Sequence, residues 1–174
     1  DRLLGPNIVS VHEPTSVHEV LQRVANLLTA EVGESITLQK DYDPSIPDLI
    51  GDSEQLIQAV LNIMRNSTQA LATMGPDHRS AISLRTRIIR QFTIAQYRHK
   101  LVVRVDITDN GPGIEAELLE AVFYPMISGR PEGTGLGLYV CRGIIESLGG
   151  SIQLQASQGG RGTEAIVKLP VARE

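Results

Sequence analysis

The chain has 174 residues, 41% of them hydrophobic and 21% charged, with a net charge of −4 and one cysteine. That suffices for one domain with a substantial core, and an acidic balance without any basic run argues against a phosphate-neutralising nucleic-acid surface. Cys141 alone cannot close a disulfide, no Cys/His spacing suits zinc, and neither a membrane span nor a signal peptide is visible, so a cytoplasmic location is expected.

Residues 1–14 read as irregular, broken by Gly5, Pro6 and Pro14, and Asp1 in place of Met suggests a piece of a longer protein. Ser16-x-x-Glu19 is a capping box that opens a helix, with Val17, Val20, Leu21, Val24, Leu27 and Leu28 on one side. Ile36 to Tyr42 is strand-like, and Asp43-Pro44 with Pro47 forms a loop. A second helix runs from Asp52-Ser53 to about Met74. Ile82–Ile89 and Leu101–Thr108 read as strands of a long hairpin. A short helix is expected over Glu115–Val122, irregular chain over Phe123–Gly133, and a helix over Gly135–Leu148 that ends at Gly149-Gly150. Ser151–Ala156 and Thr163–Leu169 are the closing strands, joined through Gly159-Gly160-Arg161-Gly162. The fold class is therefore α/β: a two-layer sandwich of a mixed, mostly antiparallel sheet with helices on one face.

Three features carry chemistry. From Leu101 to Thr108 apolar residues alternate, and Asp109 continues the apolar series. Its carboxylate therefore points to the core side where the chain turns into Asn110-Gly111-Pro112-Gly113. A carboxylate placed there is costly unless it finds donors, which an amine on a ligand would supply. Asp-Asn-Gly as a plain hairpin turn is the competing reading. On the second helix, Gln55, Gln58, Asn62, Arg65, Asn66 and Gln69 fall within an arc of roughly 100° on an otherwise apolar cylinder. The stripe is rich in amides and has no acid, and Asn62 and Asn66 stack one turn apart. Their carbonyl oxygens suit Mg²⁺, which also leans on substrate phosphates. Finally, Gly133-Thr134-Gly135-Leu136-Gly137-Leu138 opens a helix where bare amides and the helix dipole favour phosphate. It fits neither the Rossmann nor the P-loop spacing.

Together these elements resemble the ATP-binding domain shared by sensor histidine kinases and the gyrase, Hsp90 and MutL ATPases. Asn62-Ile63-Met64-Arg65-Asn66 resembles the N box, and Asp109 to Ile114 the first glycine box. Phe123-Tyr124-Pro125-Met126 resembles the F box; Gly133 to Leu138 and Gly160-Arg161-Gly162-Thr163 resemble the second and third glycine boxes. Asp41 to Pro47, Leu84 to Arg87 and Phe123 to Arg130 resemble bacterial nitrogen-regulation sensor histidine kinases. The resemblance implies a Bergerat-type fold over residues 15–174, with residues 1–14 as a linker from a dimerisation domain that carries the phosphorylated histidine. Asp109 would bind the adenine amine of ATP with support from Thr163, whose parity along Thr163, Ala165, Val167 and Leu169 is also inward. Asn66 would hold Mg²⁺, with Asn62 nearby. Gly111 and Gly113 would shape the cleft, and Gly133, Gly135, Gly137 and Leu138 would lie along the phosphates. Arg130, in the segment corresponding to the ATP lid, is the candidate cation for the γ-phosphate, with Arg65 a weaker one. Ser67 stands where the family usually has Ala.

The resemblance further implies a homodimeric parent, phosphotransfer to the response regulator NtrC, and regulation by the PII signal protein. His12-Glu13 echoes a phosphoacceptor motif, but Pro14 interrupts any helix there. An ATP-hydrolysing switch of the gyrase or Hsp90 type is the alternative. It needs a water-activating glutamate where this chain has Asn62. Transfer to a histidine needs no strong base in this domain, so kinase chemistry is the expected function.

Overall fold

The computed structural model describes residues 13–124, 137–157, 159 and 161–171. A short antiparallel pair, β1 (Glu13–Thr15) and β3 (Leu49–Gly51), flanks a five-stranded sheet. That sheet has the order β2-β4-β5-β7-β6, built from β2 (Thr37–Asp41), β4 (Ala81–Ile94), β5 (Tyr97–Asp109), β6 (Ser151–Ala156) and β7 (Thr163–Pro170). Among the described residues only β2 runs parallel to its neighbour β4; every other ladder is antiparallel. Three helices, α1 (Val17–Val32), α2 (Ser53–Leu71) and α3 (Gly137–Ser147), pack with the inward residues of the sheet into one core. This is the mixed two-layer architecture that the sequence pattern implies.

Local chemistry sets the element ends. Ser16 caps α1 by accepting from the Glu19 amide, and Gly33 ends it in the left-handed region at φ 69°. Asp52 caps α2 through the Glu54 amide at 2.9 Å. The inward row of β5 (Val103, Val105, Ile107) meets Ile82 and Leu84 of β4 and Ala165, Val167 and Leu169 of β7 in the core. Fully burying such a side chain stabilises the fold by roughly 1.5–3 kcal/mol.

The outer sheet face carries Arg85, Arg104, Asp106, Thr108 and Glu164 around a shallow depression, while Val102 and Ile166 on the same face are buried. Arg104 donates to Asp106 there at 2.8 Å, which also raises the already high pKa of the guanidinium. Among the described residues the helices pack on the inner face.

Four elements differ from the sequence reading. Glu13 to Thr15, read partly as irregular, form β1, whose pairing with β3 no local pattern encodes. Leu27 is 41% exposed although it shares the apolar side of α1, because the arc in contact with the sheet is narrower than the apolar arc. The segment 115–122 forms two 3-10 turns, Ala116–Leu118 and Ala121–Phe123, instead of a helix; Phe123 alone among them is buried. The β4–β5 hairpin extends to a tip at Ala95-Gln96, beyond the partners available in β2 and β7.

Candidate functional site

The upper ends of β5 and β7 and the C-terminal half of α2 enclose a cleft of about 240 Å³. Its polar groups are Asn66, Ser67, Gln69 and Thr73 from α2 and the chain after it, Asp109 from β5, and Thr163 from β7. The walls are apolar: Ile63 and Ala70 on α2, Ile107 on β5, Leu138 on α3, Leu154 on β6, and Ala165 on β7. Such a cleft, largely apolar with few convergent polar groups, is the usual form of a small-molecule site.

Asp109 is its most demanding member, only 5% exposed at the end of an otherwise apolar row. The Gly111 amide donates to its Oδ1 at 2.9 Å. A Cβ at 111 would lie 3.0 Å from that same oxygen, so any larger residue there would crowd the carboxylate. Thr163 is the direct cross-strand partner of Asp109, so parity on two separate strands converges on one wall. Behind them Gly162 (φ +85°) packs against the Asp109 carbonyl; a Cβ would stand 2.9 Å from the carbonyl carbon and closer still to its oxygen. Gly113 (φ +86°) lines the mouth beside Gly162.

The polar stripe of α2 divides. Asn66 and Gln69 line the cleft, whereas Asn62, one turn earlier and half-buried, is not among its lining residues. Arg65 turns to α1, where its guanidinium grips Glu31 through Nη2 and through Nε at 3.3 Å. That hydrogen bond holds the Glu31 carboxyl below its ordinary pKa. Both side chains are over two-fifths exposed, so the pair contributes little to stability. Arg65 thus faces α1, and the structure does not bring it to the cleft.

Gly137 is the first residue of α3, immediately before the lining residue Leu138. Arg130, Gly133 and Gly135 lie outside the described residues, as do Pro125, Met126 and His12. Phe123 is buried, and the Arg142 guanidinium sits 4.9 Å from its ring centre.

Ser67 had no assigned place in the site from sequence, and Gly162 had one only through the resemblance of Gly160 to Thr163 to the third glycine box. Ser67 is buried and lines the cleft, so the position next to Asn66 is more than a spacer. The signal for Gly162 was its position directly before the inward-facing Thr163. Chemically, the arrangement offers a buried carboxylate as acceptor for an N–H donor on a flat apolar ligand, with the neutral amide side chains of Asn66 and Gln69 lining the same cleft.

The architecture and the residue pattern have known counterparts. The mycobacterial sensor histidine kinase MprB superposes with a TM-score of 0.74 at 26% identity, over 92% of this chain and 97% of that one. Full-length ShkA in complex with AMPPNP superposes with a TM-score of 0.76 at 22% identity, over 99% of this chain and 34% of that one; at that identity it speaks for the fold alone. The sensory histidine kinase/phosphatase NtrB of Klebsiella oxytoca is 43% identical over 173 residues, which is 99% of this chain and 48% of that protein. The chain thus spans about half the length of that curated relative. Residues 51–173, which hold α2, Asp109, α3 and Thr163, match the model of the "Histidine kinase-, DNA gyrase B-, and HSP90-like ATPase" family. With the cleft built from that matched region, the chain belongs to this ATPase family.

Proposed function

We propose that the chain binds Mg²⁺-ATP in the α2–β5–β7 cleft and delivers the γ-phosphoryl to a histidine on a separate dimerisation domain, as part of nitrogen-regulation two-component signalling. The observation that carries the nucleotide half is Asp109: a buried carboxylate that accepts from the Gly111 amide and lines a largely apolar cleft. An adenine amine supplies the matching donor, and Ile107, Ala165, Leu138 and Leu154 offer the flat base apolar walls. Thr163 supports the same edge. Among the described residues no group of three or more His, Cys, Asp or Glu could hold a metal ion. A Mg²⁺ ion here therefore depends on phosphate oxygens and on the Asn66 carboxamide, which fits its preference for hard oxygen ligands and retained waters. The bound ion would offset phosphate charge.

The transfer half rests on the residue at 62 and on relatives. Asn62 stands where hydrolytic members of the resemblance class carry a water-activating acid, and Asp109 is the one carboxylate among the described lining residues. An acceptor imidazole needs no base from this domain, so the chain's contribution is positioning and charge stabilisation. The resemblance assigns Arg130 to the γ-phosphate and Gly133, Gly135 and Gly137 to the phosphate chain. It also assigns NtrC as response regulator, PII as regulator, a homodimeric parent and a cytoplasmic location. The similarity to NtrB of Klebsiella oxytoca supports that assignment.

The test is incubation with labelled ATP and a separately supplied histidine-bearing domain. Acid-labile, base-stable label on that domain, with neither sustained hydrolysis nor self-labelling by the isolated chain, is the expected result. Sustained ATPase turnover would favour the hydrolytic switch instead, and label on His12 would refute transfer in trans.

A further inference from the structure

Asn110 follows Asp109 directly, yet its side chain works on the opposite side from the cleft. Its Nδ2 donates to the Arg79 carbonyl at 2.8 Å, and its Oδ1 accepts from the Ala81 amide at 2.9 Å. His78 Nε2 lies 3.3 Å from the same Oδ1, and the Asn110 amide donates to the Ala81 carbonyl at 3.3 Å. An asparagine in a simple turn bonds its own backbone about two residues on. This one bonds backbone 29 and 31 residues away, splinting the β5 terminus to the entry of β4. From the far side Gly162 presses on the same two residues, since a Cβ there would lie 3.0 Å from the Asn110 Cα. The backbone at 109–110 is therefore clamped between β4 and the turn before β7. With the Gly111 amide fixed on Oδ1, the direction of the Asp109 carboxylate is set by this clamp.

We infer that Asn110 is a positioning residue that aims Asp109 and thereby sets the selectivity of the cleft for a 6-aminopurine over a purine without that amine. The inference rests on the proposed bond between Asp109 and the base amine. Hydrogen bonds weaken steeply as they bend, so a carboxylate that is present but misaimed loses the amine while the apolar walls still hold the ring. Asn110→Ala removes both splint bonds. Asn110→Asp keeps the acceptor for the Ala81 amide and sets an anion against the Arg79 carbonyl.

The experiment measures affinities for ATP and for purine riboside triphosphate, which differ only in the 6-amino group, on wild type and variants that melt above the assay temperature. Wild type is expected to prefer ATP, and both Asn110 variants to lose about tenfold of that preference, mainly through ATP, which is roughly 1.4 kcal/mol and just under one charge-assisted bond. Thr86→Val is the control for mere destabilisation. It removes the hydroxyl held by His18 and by the Asp43 amide, on β4 but away from the cleft, and should lower the melting temperature with the preference intact. Asn110 variants that keep the full preference, or that both fail to fold, would overturn the inference. Asp109→Ala with an unchanged preference would instead overturn the adenine reading beneath it.

Discussion

Replacing Asp109 by Asn is the sharpest probe of the cleft, because the two side chains have the same shape and differ in charge and in one donor. The asparagine can keep its Oδ1 on the Gly111 amide, now at 2.9 Å from the carboxylate, so the turn should survive. Its second atom then becomes an NH₂ group where the carboxylate offered an oxygen. Facing an adenine amine, that sets donor against donor. A hydrogen bond with a charged partner contributes about 1.5–3 kcal/mol, which corresponds to a loss of ATP affinity of roughly 10- to 150-fold. Burial sharpens the effect, since at 5% exposure little water can bridge the mismatch. Calorimetric titration of ATP into wild type and variant, paired with thermal melts, measures it. GTP, which has a carbonyl in place of the amine, should bind wild type weakly and lose less in the variant. Unchanged ATP affinity in a folded Asp109→Asn protein would refute the reasoning.

Asn66→Ala should weaken binding of Mg²⁺-ATP more than of metal-free ATP, as read by titrations with and without Mg²⁺; equal losses would assign the residue to direct contact or packing. Gly162→Ala places a methyl inside the Asp109 carbonyl at a φ of +85° and should destabilise by at least about 3 kcal/mol, seen in denaturant unfolding. His18, stacked on Tyr42 at 4.5 Å and bonded to Thr86, has its pKa lowered from 6.5 by burial, against an opposing pull from Asp43. The unfolded chain therefore takes up the proton first, so stability should be constant above about pH 7 and fall as pH drops through 6.5. His18→Gln should flatten that fall, and an unchanged slope would show that His18 does not cause it.

What could be read beforehand was whatever local spacing encodes. Alternation along β5 and β7 put Asp109 and Thr163 on the inward face, and the structure pairs them directly. Capping residues located the starts of α1 and α2 to within a residue. Long-range matters were silent. Nothing in Thr37–Asp41 says that it lies parallel beside β4, and nothing in Glu13–Thr15 announces a partner at Leu49–Gly51. The helical wheel gave an arc of amides but could not show that Gln69 and Asn66 face the cleft while Arg65 belongs to α1. Asn110 was hidden for a similar reason: its composition signals a turn, and its partners lie about thirty residues upstream.

The pairing of Asp109 with Thr163 also fixes when during synthesis the site can exist. A nascent chain that has not yet produced β7 has the carboxylate but neither its neighbour nor Ala165, Val167 and Leu169, whose burial closes the core. Contacts between residues so far apart carry a large loop-closure cost and form late. Until β7 docks, the side of β5 that it pairs with is an open backbone edge on which chaperones and other chains compete. Nucleotide binding should therefore appear in a single step on the ribosome, after residue 170 has emerged, and its onset would time the completion of the whole sheet.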